Sequence, residues 1–270
     1  MPELPEVETT LRGIAPALEG RTIRGVLVRN ASLRWPVTDE VQQACGQEVR
    51  GLRRRAKYLL IELDGGGLMI HLGMSGSLRI CDADDAPRKH DHVDIVLSEG
   101  VCLRFNDPRR FGLLLWWKEP AEEHPLLSQL GPEPLLNSFS GEHLWRKSRS
   151  RRGAVKNFIM DGKVVVGVGN IYASEALFMS GIHPGRAAGR ISAARYAALA
   201  AAIQDVLARA IQQGGTTLRD FTNSDGAPGY FAQELLVYDR AGLPCFQCQA
   251  PIRKKVIGQR SSYYCARCQR

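Results

Sequence analysis

Hydrophobic positions change their spacing once along the chain. After an opening stretch in which Val7, Leu11 and Ile14 recur at helical steps, apolar residues fall in short runs. Lys57–Leu63 is apolar and is bounded by the turn signal Asp64-Gly65-Gly66-Gly67, with Leu68–Leu72 following at once, which predicts a hairpin. His92–Leu97 places Val93, Ile95 and Leu97 on one face, and Val101, Leu103 and Phe105 repeat the alternation after Glu99-Gly100. Phe111–Trp117 is a further strand-length run. Several short alternating segments predict an antiparallel sandwich or barrel. Beyond Trp117 the proline-rich stretch Lys118–His143 reads as a linker, and then the spacing turns helical. Ser192 can cap a helix carrying Tyr196, Leu199, Ile203, Leu207, Ala210 and Ile211, ended by Gly214-Gly215.

The first helix is predicted over Pro5–Leu18, stopping near Gly20. Proline in the first turn loses no hydrogen bond, and Glu6 and Glu8 face the positive end of the helix dipole. That reading leaves Pro2 and Glu3 without a role, since both precede a helix begun by Pro5. The length of 270 residues predicts two domains, and 44% hydrophobic residues allow real cores. No apolar run is long enough to span a bilayer and no signal peptide is visible, which predicts a soluble intracellular protein with no membrane contact.

Charge adds a partner class. Lys and Arg total 36 against 28 acids, for a net +8. The excess is segregated into Arg50–Lys57, Arg146–Lys156, and Arg240–Arg270, where seven basic residues stand without an acid. Such segregation suits a polyanion, foremost nucleic acid. Of seven cysteines, Cys45, Cys81 and Cys102 are scattered and read as free thiols. The other four form Cys245-x-x-Cys248 and Cys265-x-x-Cys268, sixteen residues apart, the spacing of a four-thiolate zinc site on a β-hairpin. Four thiolates leave no position for water, so one structural zinc per chain is expected; two disulfides are the alternative. Arg253, Lys254, Lys255, Gln259 and Arg260 between the knuckles suit phosphate contacts.

Three features then stand together: PELPEVE at the N-terminus, the double-knuckle finger at the C-terminus, and VVVGVGNIYASEALFMSGIHP over Val164–Pro184 between them. With RRAKYLL, HLGMSGSLRI, KHDHVD, DPRRFG, QGGTTLRDF and GYFAQELLVY, the chain resembles, end to end, the bacterial formamidopyrimidine-DNA glycosylases, bifunctional 8-oxoguanine glycosylases and AP lyases. The resemblance implies an α+β protein with an N-terminal antiparallel β-sandwich and leading helix over residues 2–130. It implies a helical domain with a helix–two-turn–helix element over 131–235 and a zinc finger over 236–270.

The resemblance also implies roles. Loss of Met1 frees the secondary amine of Pro2 as nucleophile, and Glu3 is the acid–base group. Glu6 positions the N-terminus, beside the simpler reading as a helix-capping residue. Lys57 contacts phosphate and the damaged nucleotide, beside the reading as a strand-surface lysine. Met74, Arg109 and Phe111 fill the gap left by a flipped base; core packing is the default for Met74 and Phe111, but their turn-like contexts suggest exposed loop tips. His90, Lys156, Asn170 and Arg260 hold phosphates, Gly167 and Gly169 shape the turn before Asn170, Glu175 supports the site, and Thr216–Tyr230 closes over the lesion. The partner is double-stranded DNA carrying oxidised purines, bound by a monomer in the bacterial cytoplasm, at the nucleoid. Leu4 favours the purine branch over an endonuclease VIII-like preference for oxidised pyrimidines. A non-catalytic zinc protein binding bent DNA is the alternative of another class. One run departs from the resemblance: Arg149–Lys156 is richer in arginine than the family pattern leads one to expect.

Overall fold

The structure is a computed structural model and describes residues 2–118, 120–214 and 235–270. The described residues up to Gln129 form one compact unit; Leu130–Gln212 with Leu235–Arg270 form another. The finger residues therefore share a unit with the helices.

The first unit opens with helix α1, Leu4–Leu18. Glu3 is its N-cap, and the Glu6 carboxylate accepts the Glu3 N–H at 2.8 Å in a capping box. The helix thus begins one residue earlier than Pro5, and helix initiation covers Glu3 after all. Val7, Ile14 and Leu18 form the buried stripe, each stabilising by about 1.5–3 kcal/mol on full burial. Gly20, at φ 76°, ends the element in the left-handed region.

Eight strands make two antiparallel sheets: β1 Ile23–Val28, β2 Gly51–Arg55, β3 Tyr58–Leu63, β4 Gly66–His71, β5 Ser77–Asp82, β6 Asp91–Leu97, β7 Val101–Asn106 and β8 Leu113–Lys118. One sheet has the order β1-β6-β7-β5, the other β2-β3-β4-β8. Inward residues of both sheets and of α1, among them Ile61, Ile70, Ile95 and Phe105, share one core. The alternation read in β6 and β7 is the register seen, with Ile95 opposite Leu103 and Val93 opposite Phe105.

Two details differ from the sequence pattern. Gly66 and Gly67 belong to β4 rather than to the turn, which narrows to Asp64-Gly65. A Cβ at Gly66 would run into the Trp117 carbonyl, and one at Gly67 into that of Ile61, so these glycines let neighbouring strands approach. Lys57 lies outside β3, in the two-residue turn after β2, where Ala56 holds φ 54°. Phe111 likewise stands outside β8 and is 44% exposed.

The second unit contains α2 Gly141–Ser148, α3 Val155–Ile159, α4 Asn170–Met179 and α5 Ala193–Gln212. The Ser192 hydroxyl accepts the Arg195 N–H at 3.4 Å at the start of α5. Tyr196, Leu199, Ile203, Leu207 and Ala210 are buried along α5, as their spacing predicts. Helix α2 starts inside the stretch read as linker, capped by the Ser140 hydroxyl, which accepts the His143 N–H at 3.2 Å. Strands β9 Arg253–Ile257 and β10 Arg260–Tyr264 form the terminal hairpin. Its core joins Ile252, Tyr263 and Cys265 to Phe178 of α4 and to Val237. None of the described helices is long and apolar enough to cross a membrane.

Candidate active site and nucleic-acid interface

In the first unit the site grows from the N-terminus of α1. Pro2 is buried; Glu3 is 2% and Glu6 0% exposed. Glu6 fulfils both of its readings at once, since capping the helix is what fixes the backbone of residue 3. Glu8 accepts from Arg54 Nε at 2.9 Å, tying α1 to β2, and Arg54 Nη1 donates to the Ala56 carbonyl at 2.9 Å. That bond steadies the turn carrying Lys57. The Arg50–Lys57 run is less of a free positive patch than its sequence suggests. Arg50 pairs with Asp64 and Glu48, Arg53 with Glu62 and Glu122, and Arg54 with Glu8.

Next to that turn, His71 stands opposite Tyr58 in the β3–β4 register, the ring centroids 4.9 Å apart. Its Nδ1 accepts the Gly73 N–H at 2.9 Å. Burial, then the charges of Lys57 and Arg34, push its pKa down to about 4, so the ring is neutral at pH 7.

Gly73, at φ 63°, opens the turn that presents half-buried Met74. A Cβ on Gly73 would stand 2.6 Å from the Phe111 carbonyl oxygen, so this turn and the Asp107–Gly112 loop touch backbone to backbone. The loop is held by Asp107, which is wholly buried. Its carboxylate accepts the Ser75 hydroxyl at 2.7 Å, the Arg109 N–H at 3.3 Å and the Gly112 N–H at 2.8 Å. Arg109 and Phe111 are exposed at the tip, the guanidinium 4.9 Å from the ring centroid. His90, in the left-handed region at φ 72°, accepts the Asp107 N–H on its carbonyl at 3.0 Å and so flanks the same loop. Arg34 joins from the other side, its N–H donating to the Gly112 carbonyl at 3.1 Å. Met74, His90, Arg109 and Phe111 thus share one loop cluster, with His71 connecting it to the turn of Lys57. Sequence patterning did not single out His71, Arg34, Ser75 or Asp107. His71 sits in a quoted motif, but only the register places it against Tyr58.

In the second unit Lys156, Asn170 and Arg260 are brought together by α3, α4 and the hairpin. Asn170 is the first residue of α4, after Gly169 as N-cap and Gly167 at φ 79°. Its Nδ2 donates to the Ser261 carbonyl at 3.0 Å. Lys156 is wholly buried, and its Nζ donates to Asn170 Oδ1 at 2.5 Å, Ser262 Oγ at 2.7 Å and the Ser261 carbonyl at 3.1 Å. Through these bonds Lys156 ties the hairpin to α3 and α4. Arg260 is exposed one residue before Ser261. Glu175 is buried and accepts the N–H groups of Leu236, Val237 and Tyr238 at 2.7, 3.0 and 2.8 Å. Burial raises its pKa against the opposing pull of those three bonds and Arg240. The segment Thr216–Tyr230 lies outside the described residues.

The four finger sulfurs lie within 4.8 Å of one another, with Cys245–Cys268 at 3.9 Å and Cys248–Cys265 at 3.4 Å. Sulfurs bound tetrahedrally to zinc at about 2.3 Å stand roughly 3.8 Å apart, whereas a disulfide needs about 2.05 Å. All seven cysteines are free. The donors fit one structural zinc and exclude the two-disulfide alternative.

Comparison with known proteins agrees with this layout. The model of the formamidopyrimidine-DNA glycosylase N-terminal domain matches residues 1–114, that of its H2TH domain residues 130–222, and a zinc finger found in FPG and IleRS residues 242–270. Proteins named formamidopyrimidine-DNA glycosylase from Methylococcus capsulatus and Alcanivorax borkumensis are 61% and 62% identical, over all of both chains. The crystal structure of the MutM (FPG) protein of Thermus thermophilus superposes with a TM-score of 0.90 at 38% identity, covering 99% of this chain and 98% of that one. A Lactococcus lactis FPG mutant in complex with DNA containing Fapy-dG gives 0.92 at 29% identity, covering 99% of each chain. These matches define the class, a DNA glycosylase and AP lyase acting on damaged DNA in base-excision repair. Within that class, the chain belongs to the formamidopyrimidine-DNA glycosylase family.

Proposed function

We propose that the chain excises oxidised purines, 8-oxoguanine opposite cytosine and formamidopyrimidines, through a Schiff base at Pro2, and then cleaves the abasic strand by β,δ-elimination. With Met1 removed, Pro2 carries a secondary α-amine. Such an amine titrates near pH ~8, so part of it is free base at neutrality. It attacks the sugar C1′, the glycosidic bond breaks and the base leaves with a proton; the nitrogen, having lost its own proton, then expels the ring oxygen O4′ from C1′, O4′ taking up a proton as the sugar ring opens. The iminium that remains is an electron sink: loss of a C2′ proton expels the 3′ phosphate, and a second elimination expels the 5′ phosphate. Glu3 moves the protons. Lys57 and Arg260 hold phosphates at the lesion, and His90 and Asn170 add contacts along the backbone. Arg109 pairs with the orphaned cytosine, while Met74 and Phe111 fill the gap left by the flipped base. Lys156 acts behind these contacts by positioning Asn170 and the hairpin. The enzyme works as a monomer on duplex DNA in the cytoplasm.

The observation that carries this reading is the Pro2-Glu3 pair, set at the start of α1 with the Glu3 backbone gripped by the buried Glu6 carboxylate at 2.8 Å. Borohydride trapping on an 8-oxoguanine duplex tests it, with mass spectrometry of the N-terminus. The processed enzyme forms a covalent adduct, while Pro2→Gly or retained Met1 suppresses it by orders of magnitude. Normal trapping with Met1 attached would falsify the mechanism. Running a thymine-glycol duplex alongside separates purine from pyrimidine preference.

A further inference from the structure

Cys81 and Cys102 are scattered in the sequence and meet in the fold. Cys81 lies near the end of β5 and Cys102 near the start of β7, directly opposite each other in the antiparallel register. Leu78, Leu103 and Phe105 turn into the shared core, so alternation puts both cysteines on the other face of the sheet. In the next row of that face Arg79 stands opposite Arg104, which donates to Asp94 at 2.8 Å. Both cysteines are free thiols. Facing residues of an antiparallel pair have Cα atoms about 4.5–5.5 Å apart, inside the span of about 4.4–6.8 Å that a disulfide bridges. Strand β5 is at the edge of its sheet, so it can yield as the sulfurs close.

The two thiols are not equivalent. Cys102 is wholly buried, and burial, followed by Asp94 and Cys81, pushes its pKa up to about 12, so it stays protonated at neutrality. Cys81 is half-buried and lines a hollow of about 460 Å³ together with Arg79, Asp82, Asp85 and Arg88. A small solute therefore reaches Cys81 from the hollow and finds Cys102 only behind it. Partial exposure of one thiol beside a sheltered second one is the arrangement of an attacking and a resolving cysteine. Cys45, by contrast, stands outside the strands and gives its thiol to Gln42 Oε1 at 3.3 Å.

We propose that Cys81 and Cys102 form a dithiol site for hydroperoxides, which convert the pair into a disulfide stapling β5 to β7. The site lies in the first unit, apart from the finger thiols, and stands independently of the DNA-repair reading. The Cys81 thiolate attacks the O–O bond: an S–O bond forms, the O–O bond breaks, and the departing oxygen takes a proton and leaves as water. The Cys102 sulfur then attacks the Cys81 sulfenic acid: the S–S bond forms, the S–O bond breaks, and a second water leaves with the Cys102 proton. Two electrons pass from the sulfurs to one hydrogen peroxide, and a thiol reductant reverses the change. The test exposes the zinc-loaded full chain to hydrogen peroxide, alkylates the remaining thiols, and maps tryptic peptides by mass spectrometry with zinc content measured alongside. Peptides Ile80–Arg88 and His90–Arg104 are expected to join with loss of two hydrogens while zinc stays bound, and dithiothreitol should separate them. The oxidised chain melts at a higher temperature than the reduced one, because the link constrains the unfolded chain. Cys102→Ser stops at a Cys81 sulfenic acid that dimedone labels, and Cys45→Ser links as the parent does. Peptides that stay separate in the parent, with Cys81 still alkylated or carried on to sulfinic acid, overturn the site. So does a link that forms only after zinc has been lost.

Discussion

A free histidine is partly protonated near neutrality, but His71 is not, and the cause is local. Burial comes first and the cations of Lys57 and Arg34 second, bringing its pKa from 6.5 to about 4. The sign for stability follows. The unfolded chain takes up a proton as pH falls through 6.5, while the folded ring resists until about 4. The stability contributed by a neutral His71 is therefore complete above 6.5 and is lost as pH falls through that window. Lys57→Ala removes one of the two charges, so the folded pKa rises but stays below 6.5, and the acid loss becomes shallower. A ring-proton NMR titration of both proteins checks this. An unmoved pKa would mean that the Lys57 charge does not reach the ring, which would separate Lys57 from the loop cluster His71 helps to hold. Single residues also mark where sequence reading stopped. The motif around Lys156 is visible, but nothing in its spelling says that the ammonium is buried with three acceptors; that depends on Ser261 and Ser262, more than a hundred residues away.

At the scale of elements, alternation served where the two faces of an element differ in polarity. Strands β6 and β7 were legible because Val93, Ile95, Leu97, Leu103 and Phe105 alternate with a face carrying His92, Asp94 and Arg104, which is itself buried and paired, Arg104 donating to Asp94 at 2.8 Å, and helix α5 because its buried residues form one stripe. Helix α4 was not legible by periodicity, because Ile171–Phe178 are buried on every side and leave no polar stripe to mark a period. The two glycines of β4 looked like a turn because their real requirement, close approach of Trp117 and Ile61, is tertiary. The turn of Met74 was legible as a turn, but its contact with the Phe111 loop was not. That contact yields a prediction. Gly73→Ala places a Cβ at φ 63° against the Phe111 carbonyl and Gly112 N, so either the turn strains or the loops part. Strain of this kind costs about 1–3 kcal/mol. The expected result is a lower melting temperature together with weaker binding of lesion duplex, since Arg109 and Phe111 lose their support. A variant with unchanged melting and binding would show the two loops to be independent.

At the scale of the whole molecule, the four-thiol finger is wired into the helical unit rather than appended to it. Its core shares Phe178 with α4, Lys156 and Asn170 bind the Ser261 carbonyl, and Glu175 grips the backbone of residues 236–238 just before the first knuckle. The spacing of the cysteines made the metal legible, whereas this wiring required the fold. Zinc binding supplies most of the folding energy of such a small hairpin. Its loss therefore frees the acceptors of Lys156 and Asn170 and leaves a buried ammonium short of partners, at a further cost of several kcal/mol. Cys268→Ser, or chelation of the parent protein, is expected to abolish stoichiometric zinc. It should also raise hydrogen exchange across β9, β10 and residues 236–238, and in the first turn of α4. Strands β1 to β8 belong to the other compact unit, with a core of their own, and their protection should remain. Duplex affinity falls because Arg260 and Asn170 lose their fixed positions together. If β9 and β10 keep their protection without zinc, the hairpin is held by Phe178, Lys156 and Glu175 alone and the metal does not supply its folding energy.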